Sequence, residues 1–225
     1  QTANSIENKI YSPSIYSLRI KDIFKEEEWL LLDEQIKRLY PTNFIDLYNF
    51  DDFSWIILTG FIHDLGKVLV LPELGKLDQW SVVGDTFPLG VTLDPNFPYS
   101  DCIHNNKDLS GNNYPDECGF EQMIFSWGHD EYFAQVLERS KTTIPPEAIY
   151  LVRFHSFYSW HTPRNGIRGY TKYASKKDWL MLPLLKFFSQ SDLYSKGNYP
   201  INIAEGKKKF QKLYQKYFNE KNLKW

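Results

Sequence analysis

Cysteine is nearly absent: the 225 residues contain two, Cys102 and Cys118. So sparse a supply argues against a disulfide-framed secreted scaffold, and a structural zinc cluster built on thiolates has too few ligands to draw on. Two reduced thiols in a cytoplasmic protein are expected. Nor is there an excess of charge of either sign, with Lys and Arg at 26 against Asp and Glu at 28 and a formal net charge of −2. With no basic stripe beside the aromatics, nucleic acid and membrane surfaces are poor partners. Long apolar runs are missing too. The longest, near Trp55–Leu71, is broken by His63, Asp64 and Lys67, which makes it too polar to span a bilayer. The N-terminus lacks the basic, apolar and small-residue layout of a signal peptide, and no repeat or low-complexity tract occurs. A soluble, monomeric chain is expected.

What the sequence does contain is a large stock of core-forming side chains. Aromatic residues make up 17% of it, enough for one substantial domain of this length. The segment FKEEEWLLLDEQIKRLY, residues 24–40, has helical apolar spacing and ends at Pro41. A second, more buried helix is expected over 53–71, stopped by Pro72. Short β-like pieces follow around Gly84 and Gly90, and then a long polar loop over 94–117, rich in Asp, Asn, Pro and Gly. Further helices are expected over about 121–141 with an interruption at Gly128, from Pro145-Pro146-Glu147 to about Trp160, and over about 207–218. Ser175-x-x-Asp178 reads as a capping box that opens a helix to about Lys196, kinked or divided at Pro183. The Lys207–Lys209 run reads as a solvated helix face. The fold class is all-α, a helical bundle with a small β-hairpin element.

The ionisable residues inside this apolar pattern need explaining. Of five histidines, His63 and His129 are each followed by an aspartate, and all but His104 fall on expected helices. On an α-helix His63 and Lys67 share a face, with Asp64 about 100° around. Asp64 and Lys67 could form an ion pair, but that leaves His63 unexplained. A metal centre accounts for all three, with His129, His155 and Asp192 on other helices able to complete it. Imidazoles and carboxylates without thiolates suit iron, zinc or manganese.

The HD pair at 63–64, with separate downstream histidines and a final aspartate, resembles the HD-domain superfamily. Longer segments narrow the resemblance to the myo-inositol oxygenase family: HDLGKVLVL, QWSVVGDTFPLG, SWGHDEY, PPEAIYLVRFHSFYSWH and LPLLKFFSQSDLY, in that order, with a terminal Trp225. The resemblance implies a non-haem centre of two iron ions that uses O2 to cleave myo-inositol to D-glucuronate. It implies His63, Asp64, His129, His155 and Asp192 as iron ligands, Asp64 bridging. It also implies substrate contacts at Lys67, Gly84, Asp85, His155 and Ser156. The charge on Lys67 suits an alkoxide, and the carboxylate of Asp85 suits neighbouring hydroxyls. No ligand role is implied for His161, which is expected in the core or behind the ligands, nor for His104, expected at the surface. Asp130 and Glu131 are expected to orient ligands or cap the helix, and Cys118 to be an inert thiol.

The sequence departs from the family in one respect. The resemblance implies a further histidine ligand N-terminal to the HD pair, and none precedes His63. Two readings stay open. Either the QTA at the start of the chain corresponds to the family's QTA segment, with the ligand upstream of Gln1 and residues from about 7 to 52 inserted, or residues 1–52 are divergent and the ligand is replaced or absent. The core then spans 53–225. On either reading this chain is expected to bind iron but turn over poorly. Competing expectations are an HD-type metal-dependent phosphohydrolase and a catalytically impaired relative.

Overall fold

A computed structural model describes residues 54–94, 111, 113–163, 166–194, 203–219 and 223–225. The helix expected over 24–40, the N-terminal segment, His104, Cys102 and most of the polar loop lie outside them. Within the described residues the architecture is helical. In chain order the α-helices are α1 (Ser54–Ile62), α2 (Gln79–Val82), α3 (His129–Arg139), α4 (Pro146–Phe154), α5 (Tyr158–His161), α6 (Lys176–Tyr194) and α7 (Ile203–Tyr217). Two 3-10 helices, His63–Val70 and Phe120–Gln122, complete the set. No described helix is long and apolar enough to cross a membrane. The minor β element is reduced to isolated antiparallel bridges, Pro88 with Phe125 and Thr142 with Phe218.

Several boundaries follow from local chemistry. Gly128, in extended conformation, starts α3 at His129, where the interruption was expected. Pro146 occupies the first turn of α4, where its missing N–H costs nothing. The Ser175 box forms: Ser175 donates its N–H and hydroxyl to Asp178 Oδ2, both at 2.7 Å, and the Asp178 N–H returns to Ser175 Oγ at 3.4 Å. Asp178 is buried and also accepts from the Tyr150 hydroxyl at 2.8 Å and the Phe120 N–H at 3.2 Å, so one carboxylate ties α6 to α4 and to the Phe120 turn. Pro183 does not divide α6, which runs unbroken past it. Met181, Leu182, Leu184 and Leu185 are buried around the proline, and their packing offsets the one backbone bond it removes. The last helix begins at Ile203, four residues before its first lysine run.

Three expectations need correction. The helix expected over about 121–141 is α-helical only from His129: before it stand a 3-10 turn, Phe120–Gln122, and an extended stretch in which Phe125 pairs with Pro88. The helix over 53–71 is α-helical only to Ile62 and continues as a 3-10 helix from His63. The helix expected from Pro145 to Trp160 breaks at His155, and α5 resumes at Tyr158. The core is aromatic: Phe120 packs edge-on against Trp160 at 4.9 Å and Phe157 at 5.2 Å between ring centres. Helix α3 lies against both the His63–Val70 turn and α4, while α1 packs on α4 and α7. Those contacts bring the ends of α1, α3 and α4 together.

Candidate metal centre

The histidines of interest stand at helix ends rather than in helix interiors. His63 follows the last residue of α1, His129 is the first of α3, and His155 is the cap of α4. The last carbonyls of a helix have no partner within it, and an imidazole N–H can take that place. Each histidine does so through Nδ1: His63 donates to the Gly60 carbonyl at 2.9 Å, His155 to Val152 at 2.8 Å, and His129 to Val82, the last residue of α2, at 2.7 Å. A carbonyl can only accept, so these bonds fix the tautomer of the neutral rings. In that form all three Nε2 atoms are acceptors, and they face one another.

Asp64 lies among them. Its Oδ1 is 3.4 Å from His129 Nε2 and 3.6 Å from His155 Nε2, while its Oδ2 is 3.6 Å from His63 Nε2. Asp192 Oδ1 approaches His63 Nε2 from α6 at 3.4 Å. One carboxylate thus presents one oxygen to two imidazoles and the other to a third. The donor set also looks incomplete. His129 Nε2 and His155 Nε2 sit 3.3 Å apart, two lone pairs facing each other unless a proton or cation intervenes. His63 Nε2 and Asp64 Oδ1 are buried without a hydrogen-bond partner. Orphaned acceptors converging in this way can hold metal ions, and the triads His63, Asp64, His155 and His129, Asp130, His155 both have the spacing.

Lys67 is not aligned with His63 as an α-helix would have it. The 3-10 geometry repeats every three residues, and so stacks Lys67 over Asp64, where its ammonium donates to Oδ2 at 2.7 Å. Gly66 is pressed against α3: a Cβ there would stand 2.1 Å from the His129 carbonyl oxygen. Asp85 is half-buried and Gly84 exposed in the loop after α2, and Ser156 is buried beside His155. His161 is buried and donates Nε2–H to the His155 carbonyl at 2.8 Å, behind the cluster. An apolar cavity of about 360 Å³ adjoins the cluster between α1 and α6, with His63 and Asp192 in its wall.

The myo-inositol oxygenase family model matches residues 21–225. The chain belongs to that family. It is 39% identical over 192 residues to the inositol oxygenase of Dictyostelium discoideum, covering 82% of this chain and 62% of that protein. To the probable inositol oxygenase of Oryza sativa subsp. japonica it is 39% identical over 198 residues, covering 85% and 63%. To the human inositol oxygenase it is 41% identical over 174 residues, covering 74% and 59%. The chain therefore spans about three fifths of the length of these relatives.

For this myo-inositol oxygenase family member, the structure gives Asp130 the orienting place expected of it and adds Thr86 and Tyr158, which motif reading missed. Asp130, fully buried on α3, puts Oδ1 at 2.9 Å from His155 Nδ1 and 3.0 Å from His129 Nε2, and accepts the Thr86 hydroxyl at 2.6 Å. Thr86 had no signal beyond its place in a matching segment. Tyr158 also borders the centre: burial pushes its phenol up to about 12, reinforced by Asp85, Asp192, Asp130 and Asp64.

The protonation states follow from who faces whom. Burial opposes charge on His155, but Asp130 and Asp64 outweigh it and raise the imidazole to about 10. His129 is raised in the same way by the same two carboxylates against its burial. Burial alone would raise Asp64 and Asp130. Histidine partners hold both well below the usual carboxylate range, with Lys67 helping at Asp64. Burial and the charge of His155 lower His63, and burial drives His161 down to about 3. In the metal-free cluster the carboxylates of Asp64 and Asp130 thus favour protons on His129 and His155, while one on His63 is disfavoured.

The sign of the pH dependence can be worked out from these shifts. A raised histidine stabilises the fold fully below its unfolded value, and that stabilisation is lost as pH rises through the folded value. For His155 the window runs from 6.5 to about 10. A metal must displace the proton on Nε2, so its affinity rises with pH as the metal-free protein weakens. We expect the thermal midpoint of the metal-free protein to fall from pH 6.5 to pH 10, while chelator competition shows tighter metal binding across the same rise. A flat affinity profile would contradict the proton count.

Proposed function

We propose that the protein is an inositol oxygenase, cleaving the ring of myo-inositol with O2 to give D-glucuronate and water at a centre of two iron ions. In this reading His129 and His155 would hold one iron and His63 and Asp192 the other, with Asp64 available to both. The observation that carries it is the two-sided placement of Asp64, one oxygen toward His129 and His155 and the other toward His63. Family membership supplies the substrate class. When bound, the irons supply redox chemistry with O2 and Lewis acidity toward substrate hydroxyls.

The chain's own residues supply position and charge. Three Nδ1–carbonyl bonds hold the imidazoles in the tautomer that ligation needs. Lys67, resting on Asp64, brings a cation to where a deprotonated substrate hydroxyl would sit, and Asp85 with the Ser156 hydroxyl offers hydrogen bonds to its neighbours. His161, kept neutral, supports the His155 backbone.

The test is a single turnover. Protein loaded with iron under anaerobic conditions is mixed with myo-inositol and then with O2, and products are separated by chromatography. A parallel reaction offers nucleoside monophosphates. Glucuronate without phosphate release is the expected result; phosphate without glucuronate would turn the reading to the hydrolase.

A further inference from the structure

We infer that Thr86 is a positioning residue, whose hydroxyl and amide clasp the Gly84-Asp85 loop to the two segments that carry His129 and His155. The oxygenase reading enters only through the substrate; the clasp itself requires no ligand. Helix α2 ends at Val82, and residues 84–87 belong to no described helix or strand. Hydrogen bonds hold them instead. The Thr86 N–H donates to the Ser156 carbonyl at 3.1 Å, and its hydroxyl donates to Asp130 Oδ2 at 2.6 Å, a short charge-assisted bond. On the other oxygen Asp130 receives the Ser156 hydroxyl at 3.4 Å and faces His155 Nδ1 at 2.9 Å.

The ring is closed and buried: Thr86 is 3% exposed, Asp130 0% and Ser156 6%. Each member has a chain neighbour with a role in the proposed site, Asp85 beside Thr86, His129 beside Asp130, and His155 beside Ser156. A shift of the loop is thereby coupled to the imidazoles. Two further bonds of the loop, the Phe87 amide on Ser126 Oγ and the Ser126 amide on the Phe87 carbonyl, run to the chain before α3.

Valine keeps the shape of threonine and removes the hydroxyl, whereas serine keeps the hydroxyl. In Thr86→Val the amide of residue 86 should exchange with deuterium faster than in the unmodified metal-free protein, and Thr86→Ser should restore protection. With iron loaded, Thr86→Val should raise the half-saturating myo-inositol concentration by about 10-fold while the saturated rate and iron content stay within about twofold. Unchanged exchange overturns the clasp. Faster exchange with unchanged half-saturation overturns the positioning role. If the unmodified protein loads iron and ignores myo-inositol while exchange responds as described, the clasp holds and it is the inositol reading that fails. Should the valine variant not fold, Thr86→Ala, which leaves room for a water beside Asp130, is read by the same criteria.

Discussion

Asp64→Ala is expected to strip the protein of both metal positions at once while leaving its helices intact. Its carboxylate faces both sides: Oδ1 serves His129 and His155, and Oδ2 serves His63 and takes the Lys67 ammonium. Removing an outer partner of a ligand costs roughly 10- to 100-fold in metal affinity, and loss of a shared ligand should exceed the top of that range at each position. The Lys67 cation would also lose the anion it rests on, which adds repulsion to any incoming metal. Metal analysis after dialysis should find under about a tenth of the unmodified content, with an unchanged helical circular dichroism spectrum. Asp64→Asn keeps the shape and one carbonyl oxygen, so it should retain more metal than the alanine variant. Wild-type content in Asp64→Ala would remove the residue from the centre.

Gly66→Ala is expected to damage the same centre without touching a ligand. The added methyl would meet His129 backbone atoms at 2.1, 2.8 and 2.9 Å, and none of these can rotate aside. Either the 3-10 turn or the start of α3 must move, and both carry histidines. Overpacking of this kind costs about 3 kcal/mol. For a domain of this size that lowers the thermal midpoint by roughly 6–12 °C. Gly60→Ala is the control, because a methyl there meets nothing within 4 Å and lies in α1. Its midpoint should hold or rise, since alanine is the better helix former by about 1 kcal/mol. Equal midpoints for the two variants would mean that the contact yields more easily than its distances suggest.

Much of this arrangement could be read from the sequence, because it depends on local signals. The Ser175 box, the start of α3 after Gly128 and the proline start of α4 are set by a few neighbouring residues and form where the sequence places them, although no α-helix runs into Gly128. The HD pair and the distant His129 and His155 could be grouped because buried ionisable residues need partners, and the structure brings them together. Helix phase was harder. A 3-10 step turns 120° against 100°, so after three residues the two helices differ by only 60°. The apolar pattern of 63–70 does not separate them, so the face that an α-helix would give His63 and Lys67 does not form, while the ion pair of Asp64 with Lys67 does. Thr86 was invisible for another reason: its partner Asp130 is 44 positions away, and a buried threonine carries no mark in sequence that tells it from a surface one. Tyr158 likewise looked like one more aromatic in an aromatic-rich chain.

The 3-10 turn acts as a ruler with a unit of three. His63, Gly66 and Leu69 fall on one edge and are the turn's buried residues: an imidazole of the proposed centre, a contact with α3 and a core side chain. Asp64 and Lys67 fall on the next edge. One inserted or deleted residue between His63 and Leu69 would rotate everything beyond it by a third of a turn. The core would then receive a different side chain, and the lysine would leave its carboxylate. Single substitutions at the outward positions Leu65 and Val68 should be absorbed far more readily than any change in the count of residues, so in this turn length constrains the protein more tightly than composition.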